Sequence, residues 1–127
     1  MKILINPVAA PRMTRRDRWM KRPCVMRYFA FRDELLKKSS GYTLKDEISL
    51  IFGIPMPKSW SKKKKERMNL MPHQQKPDLD NLIKAFKDTF GDDAHVHTYG
   101  IMRKVWAHEG FVTIVEHPFN GSQSLIE

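Results

Sequence analysis

The segment between Pro77 and Gly91 constrains the fold most, because its apolar residues recur at clear helical spacing and both of its ends are marked. Pro77 disfavours a helix in the residue before it, and Gly91 is a typical residue at a helix end. The pattern predicts an amphipathic helix packed against a core, with an apolar stripe formed by Leu79, Leu82, Ile83, Phe86 and Phe90.

The remaining patterned segments alternate between strand and helix. Residues 2–6 and 47–55 predict two strands, and residues 25–38 predict a helix that ends at the sequence SSG. The apolar face expected for that helix consists of Met26, Phe29, Leu35 and Leu36. Residues 96–117 contain two strand-like runs joined by the sequence HEG, which predicts a terminal hairpin turning at Gly110. We therefore expect an α/β (α+β) fold with a small mixed β-sheet and packed helices.

The chain has 127 residues, a length typical of one domain that is small enough to gain from dimerisation. We expect residues 1–127 to form that domain. Within it, residues 7–23 form a basic arm or loop, residues 56–77 a basic segment and residues 78–96 an acidic motif. Ser59 or Ser61 is positioned to cap a short helix in the basic segment.

Charge favours a polyanionic partner. The 23 Lys and Arg residues exceed the 14 Asp and Glu residues, and the formal net charge is +9. This balance is typical of proteins that bind nucleic acid, and it favours nucleic acid over a membrane. The single Cys24 excludes an internal disulfide, and no run is long enough for a signal-peptide core or a transmembrane helix. The sequence thus predicts a cytoplasmic protein with no membrane partner.

Acidic residues are nevertheless concentrated in the sequence KPDLDNLIKAFKDTFGDDAHV, from Lys76 to Val96. One interpretation is structural. Asp78 and Asp80 would cap the helix, while Asp80, Lys84 and Asp88 would form a surface ladder of ion pairs, each contributing about 0.3–0.5 kcal/mol. On this interpretation the acids carry no chemistry.

The other interpretation begins from charge repulsion. Asp78, Asp80 and Asp93 would repel one another if they converged, unless a cation lay between them. Mg²⁺ prefers hard oxygen ligands and keeps several waters, so two or three carboxylates suffice. Such a metal can orient water at a phosphodiester and offset the developing charge. Lys84 would then face the scissile phosphate or steady a carboxylate. On this interpretation the acidic side chains hold the metal and the basic side chains hold phosphate.

The motif KPDLDNLIKAFKDTF, followed by DDAHV, resembles that of the RusA-like Holliday junction resolvases of bacteria and their prophages. The likeness is to the family's Asp-x-Asp-Asn-Leu-x-Lys helix and its later Asp-Asp-x-Gln-Val segment. The sequences APRMTRRDRW and IFGIPMPKSWSKKKK are similar, more loosely, to family segments after the first strand and before the motif.

The resemblance implies a homodimeric, Mg²⁺-dependent endonuclease that introduces paired nicks across a four-way DNA junction. By position, it implies that Asp78, Asp80 and Asp93 bind the metal, with Lys84 as the catalytic lysine. Supporting residues of the site would be Asn81 and Asp92.

Two departures from the family pattern affect the second acidic pair. Gly91 alone separates Phe90 from Asp92, a shorter gap than in some relatives, and we favour Asp93 over Asp92 as the ligand. His95 stands where the family often has Gln; it could keep the same hydrogen bond, or its imidazole could bias the choice of metal toward transition metals. Mn²⁺ is accordingly a second candidate metal.

Basic side chains near the motif are candidate phosphate contacts, although a run of charge is also typical of a solvated face. The candidates are Arg12, Arg15, Arg16, Lys62, Lys63, Lys64 and Lys76. Trp19 and Trp60 lie within basic segments and would either pack internally or stack on an opened junction. The histidines lack the cysteine partners and spacing of a zinc finger, although His95 and His97 could share one side of a strand.

Three functions remain open at this stage. The chain could be a structure-selective endonuclease, a non-catalytic nucleic-acid-binding module, or a nuclease acting on flaps, forks or RNA. A four-way junction needs two symmetric cuts, which suits a twofold dimer. The first strand and the terminal hairpin are the expected dimer interface.

Overall fold

The computed structural model describes residues 1–18 and 21–116 and shows a helical layer on a four-stranded mixed sheet. This confirms the predicted α/β (α+β) class. The elements in chain order are β1 (Lys2–Leu4), α1 (Pro23–Lys38), β2 (Glu47–Pro55), α2 (Lys62–Met68), α3 (Leu79–Thr89), β3 (Thr98–Ala107) and β4 (Phe111–Ile114), with a 3₁₀ turn at Arg15–Arg18. Within the described residues, no helix is long and apolar enough to cross a membrane.

The sheet order β1-β4-β2-β3 shows that the predicted terminal hairpin is wrong. β3 runs parallel to β2, whereas β4 runs antiparallel to β2 on its other side. Pro55 is opposite Ala107 and Gly53 is opposite Phe111, so the short 108–110 connection passes over the end of β2. β2 takes the central position because it is apolar on both faces. The dimer interface expected at a terminal hairpin therefore loses its basis.

Gly110 has a role different from the predicted hairpin turn. Its φ is not among the positive values of the described residues, so no left-handed turn requires glycine there. A Cβ at this position would lie 2.8 Å from Asn6 Cα and 2.9 Å from the Ile5 carbonyl oxygen. The Ile5 amide also donates to the Gly110 carbonyl oxygen at 3.1 Å. Glycine is needed because the chain after β1 packs directly against this backbone.

Helices α1 and α3 cover one face of the sheet and enclose the main core. Leu35 from α1, Leu82 and Phe86 from α3, and Leu50 and Phe52 from β2 are essentially inaccessible to solvent. The predicted stripe of α3 is confirmed: its three central members are buried, and the outer two pack against the core.

The buried face of α1 differs from the predicted face. Val25, Tyr28, Phe31 and Leu35 are buried, whereas Met26, Phe29 and Leu36 are about half exposed. The buried set follows helical spacing with a tyrosine at its centre. A buried face assigned from apolar residues alone omits Tyr28, because a tyrosine can be buried when its hydroxyl has a hydrogen-bond partner.

The segments before and after α2 cover the far end of β3. Ser61 is the N-cap of α2, as predicted, and its hydroxyl accepts from the Lys64 amide at 3.2 Å. Trp60 packs on the buried Trp106 with ring centroids 4.7 Å apart, and Lys64 lies over the Trp60 ring. Packing is thus what the structure shows for Trp60, while Trp19 lies outside the described residues.

Candidate active site

The acidic motif begins at the N-terminal end of α3. Asp78 is the N-cap in an extended conformation, and Asp80 lies in the first turn, where negative charge is favoured. Lys104 from β3 donates to the carbonyl oxygens of Gln75 and Pro77, which holds the segment just ahead of Asp78. Burial lowers the pKa of Lys104, partly opposed by the nearby Asp78.

An open pocket of about 510 Å³ runs along the polar side of α3. Its polar lining is formed by Asp80, Lys84, Lys87, Asp88, Asp93 and Tyr99. Asp80 is exposed, and its carboxylate has no ion pair with another described residue. The structure therefore brings three of the predicted catalytic residues, Asp80, Lys84 and Asp93, to one pocket.

Asp78 is not part of the lining of that pocket. Its carboxylate is paired with Lys76 at 3.0 Å, and both side chains are more than half exposed. An exposed ion pair of this kind contributes at most about 1 kcal/mol, so it is easily exchanged for another partner.

Lys84 and Asp88 form one of two ion pairs inside the pocket. Lys84 Nζ donates to Asp88 Oδ2 at 2.8 Å, and the hydroxyl of Tyr28 donates to the same oxygen at 2.6 Å. Burial opposes ionisation of Asp88, but the hydrogen bonds from Lys84 and Tyr28 outweigh it and lower its pKa. Burial, reinforced by the bond to Asp88, raises the pKa of Tyr28 to about 12.

Lys87 and Asp93 form the second pair. Lys87 Nζ lies 3.2 Å from Asp93 Oδ2 and 5.3 Å from the centroid of the Tyr99 ring. The contact with Tyr99 is the largest cause of a raised pKa for Lys87, and Asp93 adds to it. The ammonium of Lys87 is thus kept charged at the edge of the pocket.

The donor set fits a hard divalent cation held by few protein ligands. Within the described residues, no group of three or more His, Cys, Asp or Glu side chains is arranged to hold a metal ion. Mg²⁺ nevertheless needs only one or two carboxylates besides water and phosphate oxygens. Asp80 and Asp93 supply two carboxylates to one open pocket, and the neighbouring cations would balance a bound phosphate.

The two residues predicted to support the site, Asn81 and Asp92, are not part of the pocket lining. The exposed Asp92 accepts from the Ala94 amide at 2.9 Å, which closes the turn carrying Asp93. The Asn81 side chain is exposed, and its backbone carbonyl accepts from the Ala10 amide at 2.9 Å. The basic arm is thereby tied to the first turn of α3.

The candidate phosphate contacts are mostly free to meet a ligand. Lys64 is half-buried, with its ammonium over the Trp60 ring. The other six candidates are exposed: Arg12, Arg15, Arg16, Lys62, Lys63 and Lys76. Part of the arm is ordered by Asp17, which accepts from Arg22 at 2.7 Å and from the Thr14 amide at 2.7 Å. These bonds, the Arg22 bond first, hold the pKa of Asp17 well below its usual range.

His95 and His97 lie outside the pocket. His95 pairs with Asp46 through Nδ1 at 2.9 Å, and the Nδ1 of His97 bonds the Thr98 hydroxyl at 2.8 Å. Both residues precede β3, so they do not share one side of a strand as predicted.

Sequence reasoning missed Lys87, Tyr99 and Tyr28. Lys87 lies seven residues after Asp80, and helical periodicity alone could have placed it on the same face. The two tyrosines come from β3 and α1, and no local signal connects them to the motif.

Comparison with known families agrees with the motif. The family model described as endodeoxyribonuclease RusA matches residues 6–115, which include the pocket and both helices that form the main core. No curated protein and no solved structure shows a significant match to the chain. The resemblance found in the motif is thus confirmed over most of the sequence, and the chain belongs to the RusA family of endodeoxyribonucleases.

Proposed function

We propose that this protein is a Mg²⁺-dependent endonuclease that resolves four-way (Holliday) DNA junctions by paired symmetric nicks during recombination and repair in the cytoplasm. The observation that carries the proposal is one open pocket lined by Asp80, Lys84 and Asp93 on a chain of net charge +9. Family membership supports a nuclease that resolves junctions. Residues 1–127 would act as one domain, with the basic arm at 7–23, the basic segment at 56–77 and the catalytic motif at 78–96.

Asp80 and Asp93 would hold the metal, and Asp78 would join them after leaving its exposed pair with Lys76. When bound, the metal supplies an oriented water and offsets charge on the phosphate. Mn²⁺ would serve in its place. Lys84 would present its ammonium to the scissile phosphate, where negative charge increases as the bond breaks. Asn81 and Asp92 would support this arrangement by fixing the arm and the turn beside it.

The basic arm and α2 would bind the DNA backbone. The arm is tied to α3 by the bond from Ala10 to Asn81, and Arg12 follows two residues after that bond. Arg15, Arg16, Lys62, Lys63 and Lys64 would extend the contact along the duplex arms, and Lys76 would exchange Asp78 for a phosphate. Separate basic and acidic groups suit a nuclease, because the Lys and Arg side chains bind DNA phosphates while the Asp side chains remain available for a metal ion.

A homodimer with twofold symmetry would place one pocket on each of two opposed strands. β1 remains a candidate for the interface, since it lies at an edge of the sheet and Leu4 is 54 % exposed. Cross-linking of a Leu4→Cys variant, with wild type as the control, would test this placement. Cys24 is only half-buried, so the control is needed.

Cleavage of a labelled mobile four-way junction tests the activity. Wild type, Asp80→Asn and the control Asp33→Asn would be compared in Mg²⁺ and in EDTA, with linear duplex, fork and flap substrates alongside. Asp33 is an exposed acid of α1 outside the pocket. We expect paired nicks in the junction from wild type and Asp33→Asn, none from Asp80→Asn, and none in EDTA.

A non-catalytic binding module is the second candidate, and one observation favours it. Asp78, Asp88 and Asp93 are each paired with a lysine, as surface acids in a purely structural role would be. Tight junction binding without cleavage in Mg²⁺ or Mn²⁺ would establish that candidate. Preferential cleavage of flaps or forks would instead keep the nuclease and reject the junction as its substrate.

A further inference from the structure

A buried tyrosine of α1 is connected to Lys84 through a single carboxylate oxygen. The Tyr28 hydroxyl and the Lys84 ammonium both donate to Asp88 Oδ2, at 2.6 and 2.8 Å. Tyr28 is 4 % exposed, the Asp88 side chain 28 % and the Lys84 side chain 60 %. The connection therefore leads from the packed core to the surface of the pocket.

The second donor distinguishes this ion pair from an ordinary surface pair. Lys38 and Glu34 show the same spacing of four residues and the same 2.8 Å distance, but both of those side chains are about half exposed. Lys38 also donates to the Leu4 carbonyl oxygen at 2.7 Å, but the Glu34 carboxylate has no second donor among the described residues, and exposed pairs of this kind are weak. Asp88 is held by a short, charge-assisted bond from a hydroxyl whose ring is packed in the core. Its carboxylate is therefore fixed before Lys84 binds to it.

We propose that Asp88 and Tyr28 are positioning residues, which fix the Lys84 ammonium at the pocket that Asp80 and Asp93 line. The inference rests on the proposed function, since it requires Lys84 to act on a phosphate. A lysine on a helix surface would otherwise sample many rotamers, and catalytic groups act best when they need no reorganisation. Asp88 directs Lys84, and the Tyr28 hydroxyl directs Asp88.

The test is a set of cleavage rates under single-turnover conditions, with enzyme in excess over a labelled four-way junction. Asp88→Asn and Tyr28→Phe would be made in wild type and again in a Lys84→Met background, and slow reactions would be followed for hours. Junction affinity in EDTA and the melting temperature would be measured for each variant. These readouts separate loss of positioning from loss of binding or folding.

Two matched controls are available in the chain. Glu34→Gln removes the acid of the other helical pair, with Lys38, which lies away from the pocket. Tyr42→Phe removes a hydroxyl from another tyrosine that packs on α3, through Phe86 and Phe90. Both controls should cleave at the wild-type rate.

Loss of one bond to a charged group in the transition state corresponds to about a 10-fold lower rate, which we expect for Asp88→Asn. Tyr28→Phe leaves the lysine pair in place and should cost about 3-fold. Junction affinity in EDTA should change by less than about 2-fold, because most of the proposed phosphate contacts come from the basic arm and α2. In the Lys84→Met background neither substitution should lower the rate further.

Equal losses in both backgrounds would overturn the inference, because the residues would then act independently of Lys84. A faster reaction from Asp88→Asn would also overturn it, and would mean that Asp88 restrains the lysine. If wild type cleaves, Lys84→Met is impaired and Asp88→Asn is normal, positioning fails while the proposed function stands. A wild-type protein that cuts no branched DNA would overturn both.

Discussion

Gly110→Ala is expected to destabilise the protein although its backbone needs no glycine conformation. The new methyl group would approach the Asn6 side-chain oxygen most closely, and it would lie 2.8 Å from Asn6 Cα and 2.9 Å from the Ile5 carbonyl oxygen. The last two are backbone atoms that no rotamer change can move. Forcing such an approach costs about 1–3 kcal/mol, as overpacked sites do. Separating the chains would also weaken the Ile5–Gly110 hydrogen bond, which contributes about 0.5–1.5 kcal/mol.

The expected loss in the free energy of unfolding is therefore about 2–4 kcal/mol, which corresponds to a melting temperature lower by about 8–16 °C for a domain of this size. Urea and thermal unfolding, followed by circular dichroism, would measure it. Gly41→Ala is the matched control, because Gly41 has φ +77° with no atom within 4 Å of the added Cβ. That control carries only conformational strain, about 1 kcal/mol.

The ranking of the variants decides the matter. Gly110→Ala should be clearly less stable than Gly41→Ala, and adding Asn6→Ala should recover little because the backbone contacts stay. Equal stability of the two glycine variants, or full recovery on removing the Asn6 side chain, would refute the close-packing explanation.

Three further predictions concern the site. Mg²⁺ at about ten times its dissociation constant should stabilise the folded state by about 1.4 kcal/mol, and this thermal shift should disappear in Asp80→Asn and in Asp93→Asn; a shift retained in both would contradict the metal site. Lys62→Gln with Lys63→Gln should make the slope of log affinity against log salt shallower by about two, whereas an unchanged slope would reject phosphate contacts there. The pKa of Tyr28 is raised to about 12, so its contribution to stability is complete below the ordinary tyrosine value and is lost as pH rises toward 12. The phenolate absorbance of wild type minus Tyr28→Phe should show that late step, and a step at the ordinary value would contradict the buried hydrogen bond.

Elements whose signals are local were predicted from the sequence. α3 and β2 carry their own periodicity and end signals, and both occur where expected. Pairing of β3 and β4 was predicted wrongly because adjacency in the chain favours a hairpin, whereas burial of β2 on both faces places it between them. The sequence of a strand alone does not determine which strand it pairs with.

The residues of the site also separate into those that the sequence could place and those that it could not. Asp80, Lys84 and Asp88 recur at intervals of four on one helix, so the sequence could place them on one side. Tyr28 reaches the same cluster from 60 residues away in the chain. Tyr99 approaches Lys87 from β3. These contacts depend on how α1 and the sheet pack around α3, which no spacing within the motif can reveal.

The order of the strands also has a consequence for synthesis on the ribosome. Among the described strands, β1 pairs with β4 alone and both neighbours of β2 come after Val96, so neither early strand has a described partner until the residues beyond Val96 emerge. The apolar faces of β2 would stay open to chaperones or to other nascent chains during that interval. A product ending before β4 would leave β1 and one edge of β2 unpaired. Such a product should therefore be less stable than the full domain, although it contains every residue that lines the pocket.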